Sequence, residues 1–458
     1  MNDKKTPQEK ITAYTLDALC AELEELTRFP VDPHSKFVYE RVVELYWTVS
    51  RTLRQLRDLL QRNPGPPSDA LLAGDVPAPP ARERLFIDMT NTIESGSKTG
   101  IQRVVRRIAL ESVRAGLGLP VVIEGGRLVP YYRHPSLPLE VQPAEGDVFL
   151  VLDAAWNNVG VYLSALDAVK AAGGKIVVAA YDILPLEYPA LFHQNVTRSF
   201  RSWRENVLAK ADAIVAISRA TAEALADHER RAGRQRLPAI GWWPLGADFG
   251  AGCAEGASPA AAKIIAGGPY LLSVGTLEPR KGYPIALDAF EKLWAAGREI
   301  SYVIVGKGGW NTSALRARIR RHPQFGRRLH WLDKAGDADL QALYAHARAS
   351  VNASLAEGFG LPLVESALHG LPVIASDIGV FREVAGDGAR YFDLLDSASL
   401  AQAIDAELSA SKTPPKIGAI SWAQSAQALA RLIREESYQM SGSLTLGSHA
   451  GRSASGLR

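Results

Sequence analysis

The feature that most constrains the fold is a repeated alternation of short apolar runs and amphipathic stretches that begins at Arg84. Each run ends in polar residues and is followed by a stretch with helical periodicity. Buried apolar strands that alternate with helices are typical of a parallel sheet covered on both faces. A loop after the first strand is expected to lead into a helix that starts near Ile101. The predicted strands of this half are 85–88, 148–153, 175–182 and 213–218.

The pattern restarts after residues 242–248 and a loop of small residues, 249–268, so we predict a second α/β half. Its expected strands are 270–275, 301–306, 329–333, 350–354 and 372–376. The fold class is therefore α/β, with two Rossmann-like domains that face each other across a cleft. The predicted organisation is a helical extension (1–62), a linker (63–83), a first Rossmann-like domain (84–245), a second Rossmann-like domain (246–440) and a disordered tail (441–458). The last helix of the second domain (421–437) is expected to pack back on the first domain.

Length and composition limit the class of protein. With 458 residues, of which 47% are hydrophobic and 22% charged, the chain is globular and too long for one core. A net charge of +3 gives no support to a nucleic-acid partner. Cys20 and Cys253 are far apart, and residues 1–10 contain no apolar core. We therefore expect a cytoplasmic protein, with peripheral attachment at the inner face of the plasma membrane left open.

Two arginine-containing stretches have more than one interpretation. In residues 37–62, apolar residues recur at helical spacing with arginines between them. This pattern suits self-association as a coiled coil, docking on the main body, or a basic helix on a membrane surface. Self-association and docking are favoured over membrane contact. The run RARIRRHPQFGRR, 316–328, is interpreted as a solvated helix face.

The sequence EGFGLPLVE, 357–365, predicts an anion site between two carboxylates. It follows an apolar run and opens a helix, where free backbone N–H groups and the helix dipole favour a phosphate. Glu357 and Glu365 would flank that phosphate and accept hydrogen bonds from hydroxyls. A ligand with phosphates in the middle and sugars at both ends is a nucleotide-sugar. The alternative is a capped helix with a solvated glutamate.

Other candidate site residues also follow predicted strands. Arg280 and Lys281, in the loop that starts at Gly275, could neutralise a diphosphate, or could be a solvated pair. The glycines of 305–311 suit a turn beside a nucleotide or a plain turn. Tyr181 and Asp182, where a strand meets a loop, could bind acceptor hydroxyls, or Asp182 could cap a local turn.

The first predicted loop, 94–103, contributes two further candidates. Gly100 gives the loop the flexibility to approach the reacting sugar or its phosphate. Arg103, in the first turn of the following helix, could face the cleft or form a surface salt bridge. The sequence contains no Walker motif, paired metal-ligand motif or Ser/His/Asp pattern that would indicate another chemistry.

Taken in order, these segments resemble the family 4 retaining glycosyltransferases, which have the two-domain GT-B fold, and in particular bacterial polysaccharide mannosyltransferase-type members. The resemblance spans about residues 84–437, is strongest in the second domain, and does not account for residues 1–80. The segments that carry it are GTLEPRKG (275–282), residues 337–379 and SWAQSA (421–426), with YDILPLEYP (181–189), ISRATAEAL (217–225) and PLGAD (244–248) in support.

The resemblance implies roles for matching positions. Glu357 would lie near the donor hexose, Glu365 would hold the ribose, and residues 332–334 would border the base. It implies a catalytic set of Arg280, Lys281, Glu357 and Asp182. It implies a donor-binding set of Gly275, Arg280, Lys281, Glu357, Gly358, Phe359, Gly360, Leu361, Glu365, Gly100 and Arg103. No residue is assigned to a metal, and no cofactor is expected beyond the nucleotide-sugar substrate.

The implied reaction is transfer of a hexose, from a GDP-mannose-like donor, to a glycan or lipid-linked acceptor in surface polysaccharide or lipopolysaccharide assembly. Two departures from the family pattern affect this expectation. Thr276 follows Gly275 where many members have arginine, and Tyr181 precedes Asp182 where many have histidine. The alternatives are a nucleotide-sugar 2-epimerase and a non-catalytic GT-B binding subunit.

Overall fold

The computed structural model describes residues 82–95, 99–132, 137–234, 236–249 and 256–440. All of them belong to one compact unit, Leu72–Arg458. The predicted helical extension, almost all of the linker, the glycine at 96 and the predicted tail lie outside the described residues.

The first domain is built on a seven-stranded sheet with the order β3-β2-β1-β4-β5-β6-β7. Its neighbouring strands are parallel except for the hairpin formed by β2 and β3. Strands β2 and β3 lie on one side of β1, and β4 to β7 lie on the other. A sheet whose strand order reverses in this way has a crevice at the carboxyl ends of the two strands beside the reversal, here β1 and β4, and such sheets bind ligands there. The strands are β1 Leu85–Asp88, β2 Leu119–Glu124, β3 Arg127–Pro130, β4 Val148–Val151, β5 Lys175–Ala180, β6 Ala213–Ala216 and β7 Ala239–Trp242.

Side chains that alternate along these strands form two cores. Phe86 and Phe149 point into a cluster on one face, whereas their neighbours Ile87 and Leu150 point into a cluster on the other. This alternation follows from the two-residue period of a strand. The helices that cover the faces are α1 Thr90–Ser95, α2 Gly100–Arg114, α3 Val159–Ala171, α4 Leu184–Glu187, α5 Gln194–Asn206 and α6 Arg219–Arg231.

The second domain contains a six-stranded sheet, β10-β9-β8-β11-β12-β13, in which every neighbouring pair is parallel. Its strands are β8 Tyr270–Val274, β9 Ser301–Val305, β10 Leu329–Leu332, β11 Ala349–Asn352, β12 Val373–Ser376 and β13 Ala389–Phe392. Its helices are α7 Pro259–Ala266, α8 Tyr283–Ala295, α9 Ser313–Arg321, α10 Asp337–His346, α11 Leu361–Leu368, α12 Gly379–Ala385 and α13 Ser397–Ser409.

The last described helix, α14 (Trp422–Arg434), returns to the first domain and packs against α2. Ser421 caps its N-terminus in a capping box with Gln424. The indole of Trp422 is 1% exposed, and its Nε1 donates to the carbonyl oxygen of Asp248 at 3.0 Å. The apolar face of α14 therefore becomes part of the core of the first domain.

The predicted architecture of two Rossmann-like domains is confirmed, and each predicted strand is present. The first sheet is parallel as predicted, except for the antiparallel hairpin of β2 and β3, which the sequence did not predict. The stretch Thr90–Ser95, expected in a loop, is a short helix that Asp88 caps through the backbone N–H of Thr90. The expected loop 249–268 contains α7, which Ser258 caps.

The part of the chain that the structure describes has no helix of the length and apolarity needed to cross a membrane.

Candidate active site

Arg280, Lys281 and Glu357 form an ion cluster at the carboxyl end of β8. Arg280 and Lys281 lie in a short 3₁₀ helix after this strand, and Glu357 comes from the segment after β11. Arg280 Nη1 lies 2.6 Å from Glu357 Oε2, and Lys281 Nζ lies 2.5 Å from Glu357 Oε1. Gly282, which ends the 3₁₀ helix, has φ +64, and a Cβ there would lie 1.9 Å from the carbonyl oxygen of Ala353. Only glycine at position 282 allows the backbone turn that places Arg280 and Lys281 beside Glu357.

The charges of this cluster keep Glu357 ionised. Burial acts to raise the pKa of Glu357, but Arg280 and Lys281 outweigh burial and lower this pKa to about 2. The hydroxyl of Ser354 adds a hydrogen bond to Glu357 Oε1 at 2.7 Å. Burial acts to lower the pKa of Arg280, yet the carboxylates around it raise that pKa above the usual value. The cluster is therefore a preformed set of fixed charges.

Two further carboxyl groups border the cluster. Glu278 accepts from Arg280 Nε at 2.9 Å, and burial raises the pKa of Glu278 against the opposing charge of Arg280. Asp182, from the first domain, accepts from the backbone N–H of Leu184 at 3.1 Å, so it caps the local turn. Burial also raises the pKa of Asp182, with Arg280 again opposing the shift. Asp182 is thus close enough to the cluster for the positive charges of Arg280 and Lys281 to act on its carboxyl group.

The segment Gly358–Leu361 presents backbone donors at the start of α11. Among the described residues, no acceptor is found for the backbone N–H groups of Gly358, Phe359, Gly360 and Leu361. Gly360 adopts φ +102 as the N-cap of the helix, so the chain turns sharply there. Unpaired N–H groups at a helix N-terminus attract anions through both hydrogen bonding and the helix dipole.

The same segment contacts the first domain closely. A Cβ on Gly358 would lie 1.9 Å from the carbonyl oxygen of Tyr181, so this contact requires glycine. The hydroxyls of Ser218 and Thr221 donate to the carbonyl oxygen of Gly358 at 2.7 and 3.0 Å. Phe359 packs into the core cluster of the first domain. The two domains therefore meet at the segment that offers the backbone donors.

Glu365 is held between the two domains. Its side chain is 3% exposed, and Arg103 Nη1 of α2 lies 2.5 Å from its Oε1. The hydroxyl of Tyr344 donates to its Oε2 at 2.7 Å. The guanidinium of Arg103 also lies over the ring of Phe249, 4.6 Å from its centroid, and its Nη2 is buried with no hydrogen-bond partner among the described residues.

The remaining predicted residues border this region. Gly275 lies beside Lys281, whose Cε is 3.4 Å from the position of a Cβ on that glycine. Gly100 begins α2, and Leu361 lies 4.0 Å from the position of a Cβ on Gly100. The cavity lined by Lys281, Glu357 and Gly360 measures about 10 Å³, room for about one water molecule. All of its lining residues belong to the second domain, and it is too small to hold a hexose.

The structure thus brings predicted residues together in two groups: Arg280, Lys281 and Asp182 lie around Glu357, and Arg103 pairs with Glu365. Tyr181 differs from expectation: its hydroxyl donates to the carbonyl oxygen of Leu152 at 2.8 Å within the core, so it does not face an acceptor. Sequence reasoning missed Glu278, Ser354 and Tyr344. Glu278 stands two residues before Arg280, which was a usable signal, whereas nothing local marks Tyr344.

Within the described ranges, no three His, Cys, Asp or Glu side chains are grouped in a way that could hold a metal ion.

The sequence is similar to known glycosyltransferases. Residues 257–421 match the sequence profile described as Glycosyl transferases group 1. The chain is 33% identical over 372 residues to the serotype-specific mannosyltransferase WbdA of Escherichia coli, an alignment that covers 76% of this chain and 44% of WbdA. It is 37% identical over 128 residues to O-antigen chain mannosyltransferase B of Escherichia coli, covering 27% of this chain and 32% of that protein. The chain spans less than half the length of WbdA.

Among solved structures, Anabaena HepE in complex with UDP and glucose is similar, with a TM-score of 0.53 and 20% identity over 78% of this chain and 100% of that one. At this identity the likeness concerns the fold alone. The resemblance to family 4 glycosyltransferases of the polysaccharide mannosyltransferase type, and the GT-B fold that it implied, are confirmed.

Proposed function

We propose that this chain, a relative of glycosyl transferases group 1 with the GT-B fold, transfers a hexose from a nucleotide-sugar to a glycan or lipid-linked acceptor in surface polysaccharide assembly. The observation that carries the proposal is the position of Arg280 and Lys281 beside the segment 358–361, whose backbone N–H groups find no acceptor among the described residues. Both groups of donors stabilise negative charge, and one member of each, Lys281 and Gly360, lines the same small cavity.

The chemical problem in this reaction is the departure of a nucleoside diphosphate. The bond between the anomeric carbon and the donor phosphate oxygen breaks, and a bond to the acceptor oxygen forms on the same face, so configuration is retained. The acceptor hydroxyl gives its proton to the departing phosphate. Arg280, Lys281 and the N-terminus of α11 stabilise the growing charge on that phosphate without a metal ion.

Glu357 takes a second role in this scheme. Because Arg280 and Lys281 hold it ionised, it accepts hydrogen bonds from hexose hydroxyls and donates none. Its two cations then contact the carboxylate and the diphosphate together, which fixes the hexose relative to the leaving group. Asp182 approaches the same cluster from the acceptor side, where it positions the acceptor hydroxyl.

A GDP-mannose-like donor is favoured by the mannosyltransferases among the relatives. The similar solved structure holds UDP, so the base needs a direct experiment. The experiment is a thermal-shift screen of the full chain against GDP-, UDP-, dTDP- and ADP-sugars, each paired with its free diphosphate. A ligand present at 100 times its Kd stabilises a fold by about 2.7 kcal/mol, which is readily measured.

A shift with one nucleotide class that is lost in Glu365→Ala supports the donor site and identifies the base. The absence of any shift would contradict a nucleotide-sugar site. Product analysis with the identified donor then separates the alternatives. A glycosylated acceptor supports the transferase, an epimerised nucleotide-sugar supports the 2-epimerase, and an unchanged donor that binds tightly supports the binding subunit.

A further inference from the structure

Helix α9 and the turn after it hold the excess positive charge of this chain. Residues 313–334 contain seven arginine and lysine side chains and one carboxylate. The chain as a whole has net charge +3 and this segment +6, so the remaining residues sum to −3. The segment, which we call the basic edge, includes β10, the edge strand of the second sheet.

Most of this charge is not neutralised by neighbours. Of the six arginines, only Arg318 forms ion pairs in the described part of the chain, with Asp288 and Glu291. No carboxylate among the described residues lies within ion-pair distance of the others, which are Arg316, Arg320, Arg321, Arg327 and Arg328. An ordinary solvated helix face has both signs of charge interspersed. The basic edge has seven cationic side chains against one carboxylate, Asp333.

The basic edge is also rigid. Arg316 and Arg320, one helical turn apart, lie over the ring of Trp331 at 5.9 and 4.9 Å from its centroid. The indole Nε1 of Trp331 donates to the carbonyl oxygen of Gly306 at 2.8 Å, which anchors the ring. In the following turn, the carbonyl oxygen of Gln324 accepts from three backbone N–H groups. The charges of Arg316 and Arg320 are therefore held beside Trp331.

An aromatic side chain projects from the middle of this charge. Phe325 lies in the turn between α9 and β10 and is 40% exposed, one of few large apolar side chains so exposed among the described residues. Arg320, Arg321 and Arg327, within five residues of Phe325 in the chain, are also exposed. An exposed aromatic ring in a segment of exposed cations matches the interface of a bilayer, where the ring enters the headgroup layer and the cations meet anionic lipids.

We propose that the basic edge docks this protein on an anionic lipid bilayer surface. A flat bilayer contacts a compact patch and leaves the net negative remainder of the chain in solution. A nucleic acid would extend beyond the patch, and the net charge of −3 on the remaining residues does not favour that longer contact. The proposal rests on charge and exposure and does not depend on the transferase reaction. The patch also lies outside the predicted helix 37–62, which the sequence offered as a membrane contact.

The test is co-sedimentation of the full chain with vesicles of phosphatidylcholine, with and without phosphatidylglycerol. We expect binding only to the anionic vesicles and a steep decrease as NaCl is raised. The variant Arg320→Glu/Arg321→Glu/Arg327→Glu should bind at least about tenfold more weakly. Phe325→Ser, which changes no charge, should also weaken binding.

The matched control is Arg114→Glu/Arg127→Glu/Arg231→Glu, which makes the same charge change at exposed arginines of the first domain. This control should keep most of the binding. Equal binding to neutral vesicles, salt-independent binding, or equal loss in both triple variants would overturn the proposal. So would a patch variant that binds as the wild type does, because the contact would then lie elsewhere. Tighter binding to a single-stranded oligonucleotide than to anionic vesicles would assign the patch to nucleic acid instead.

Discussion

Arg103 and Glu365, which are 262 positions apart in the chain, form an ion pair of 2.5 Å between helix α2 of the first domain and helix α11 of the second. Tyr344 completes the partners of the carboxylate. The resemblance assigns Glu365 to the ribose of the donor. A bound ribose and Arg103 would therefore compete for, or share, one carboxylate, which couples donor binding to the contact between domains.

The first prediction concerns this pair. Arg103→Gln and Glu365→Gln should each lower stability, because each leaves a mostly buried charge without its partner. A double-mutant cycle, measured by thermal or urea unfolding, should give a coupling energy of about 1–3 kcal/mol. The coupling should shrink at saturating donor if the ribose takes over Glu365. Additive effects of the two substitutions would contradict a direct interaction.

The second prediction concerns the cations beside Glu357. Arg280→Ala and Lys281→Ala should each lower turnover on the order of 10²–10³-fold, because each removes a donor that stabilises the leaving diphosphate. Initial rates with the donor identified by thermal shift are the measurement. The control is Arg298→Ala, an exposed arginine of the same domain that pairs with Asp405. Near wild-type turnover in a folded Arg280 or Lys281 variant would reject the role.

The third prediction concerns the contact between Gly358 and Tyr181. Gly358→Ala should separate the domains at this point, since its Cβ would lie 1.9 Å from a backbone carbonyl oxygen that cannot move aside cheaply. We expect an activity loss of at least about tenfold, because a displacement of about 1 Å in a reacting geometry can cost 10²-fold. Small-angle scattering should show a larger radius of gyration. Gly418→Ala, where nothing lies within 4 Å of the added Cβ, is the control.

The fourth prediction concerns the pH dependence of stability. Burial, and then the charge of Asp153, raise the pKa of Asp88 from 3.8 to about 7 in the folded protein. The pKa of Asp88 is higher in the folded protein than in the unfolded chain, so the neutral carboxyl group stabilises the fold. This contribution to the free energy of unfolding is fully present below pH 3.8 and is lost as pH rises toward 7. Asp88→Asn should therefore be more stable than the wild type at pH 8, by up to about 4 kcal/mol.

The measurement for Asp88 is the melting temperature at pH 5 and pH 8. The wild type should lose more stability between these values than Asp88→Asn does, since Asn keeps a partner for the hydroxyls of Thr90 and Tyr162 without the charge. Asp227→Asn, an exposed carboxyl in α6, should behave as the wild type does. An unchanged pH profile in Asp88→Asn would show that another group causes the dependence.

The strands that the sequence predicted are those whose own residues form a recognisable apolar run. Strands such as 148–151 and 301–305 are continuous apolar runs, because both faces of a parallel sheet are covered, and such runs are visible without any partner. The strands that escaped prediction were β2, β3, β7 and β13. Three of these are edge strands, and the propensity of an edge strand depends on the neighbour with which it pairs.

The sequence by itself also determined the residue types of the candidate site, because Arg280, Lys281, Glu357 and Glu365 all follow predicted strands. Only the tertiary structure decided how they are paired. It joined Glu357 to both cations and Glu365 to Arg103 and Tyr344. The physical reason is that a carboxylate removed from water takes the nearest donors in space, and those donors come from segments that local sequence does not connect.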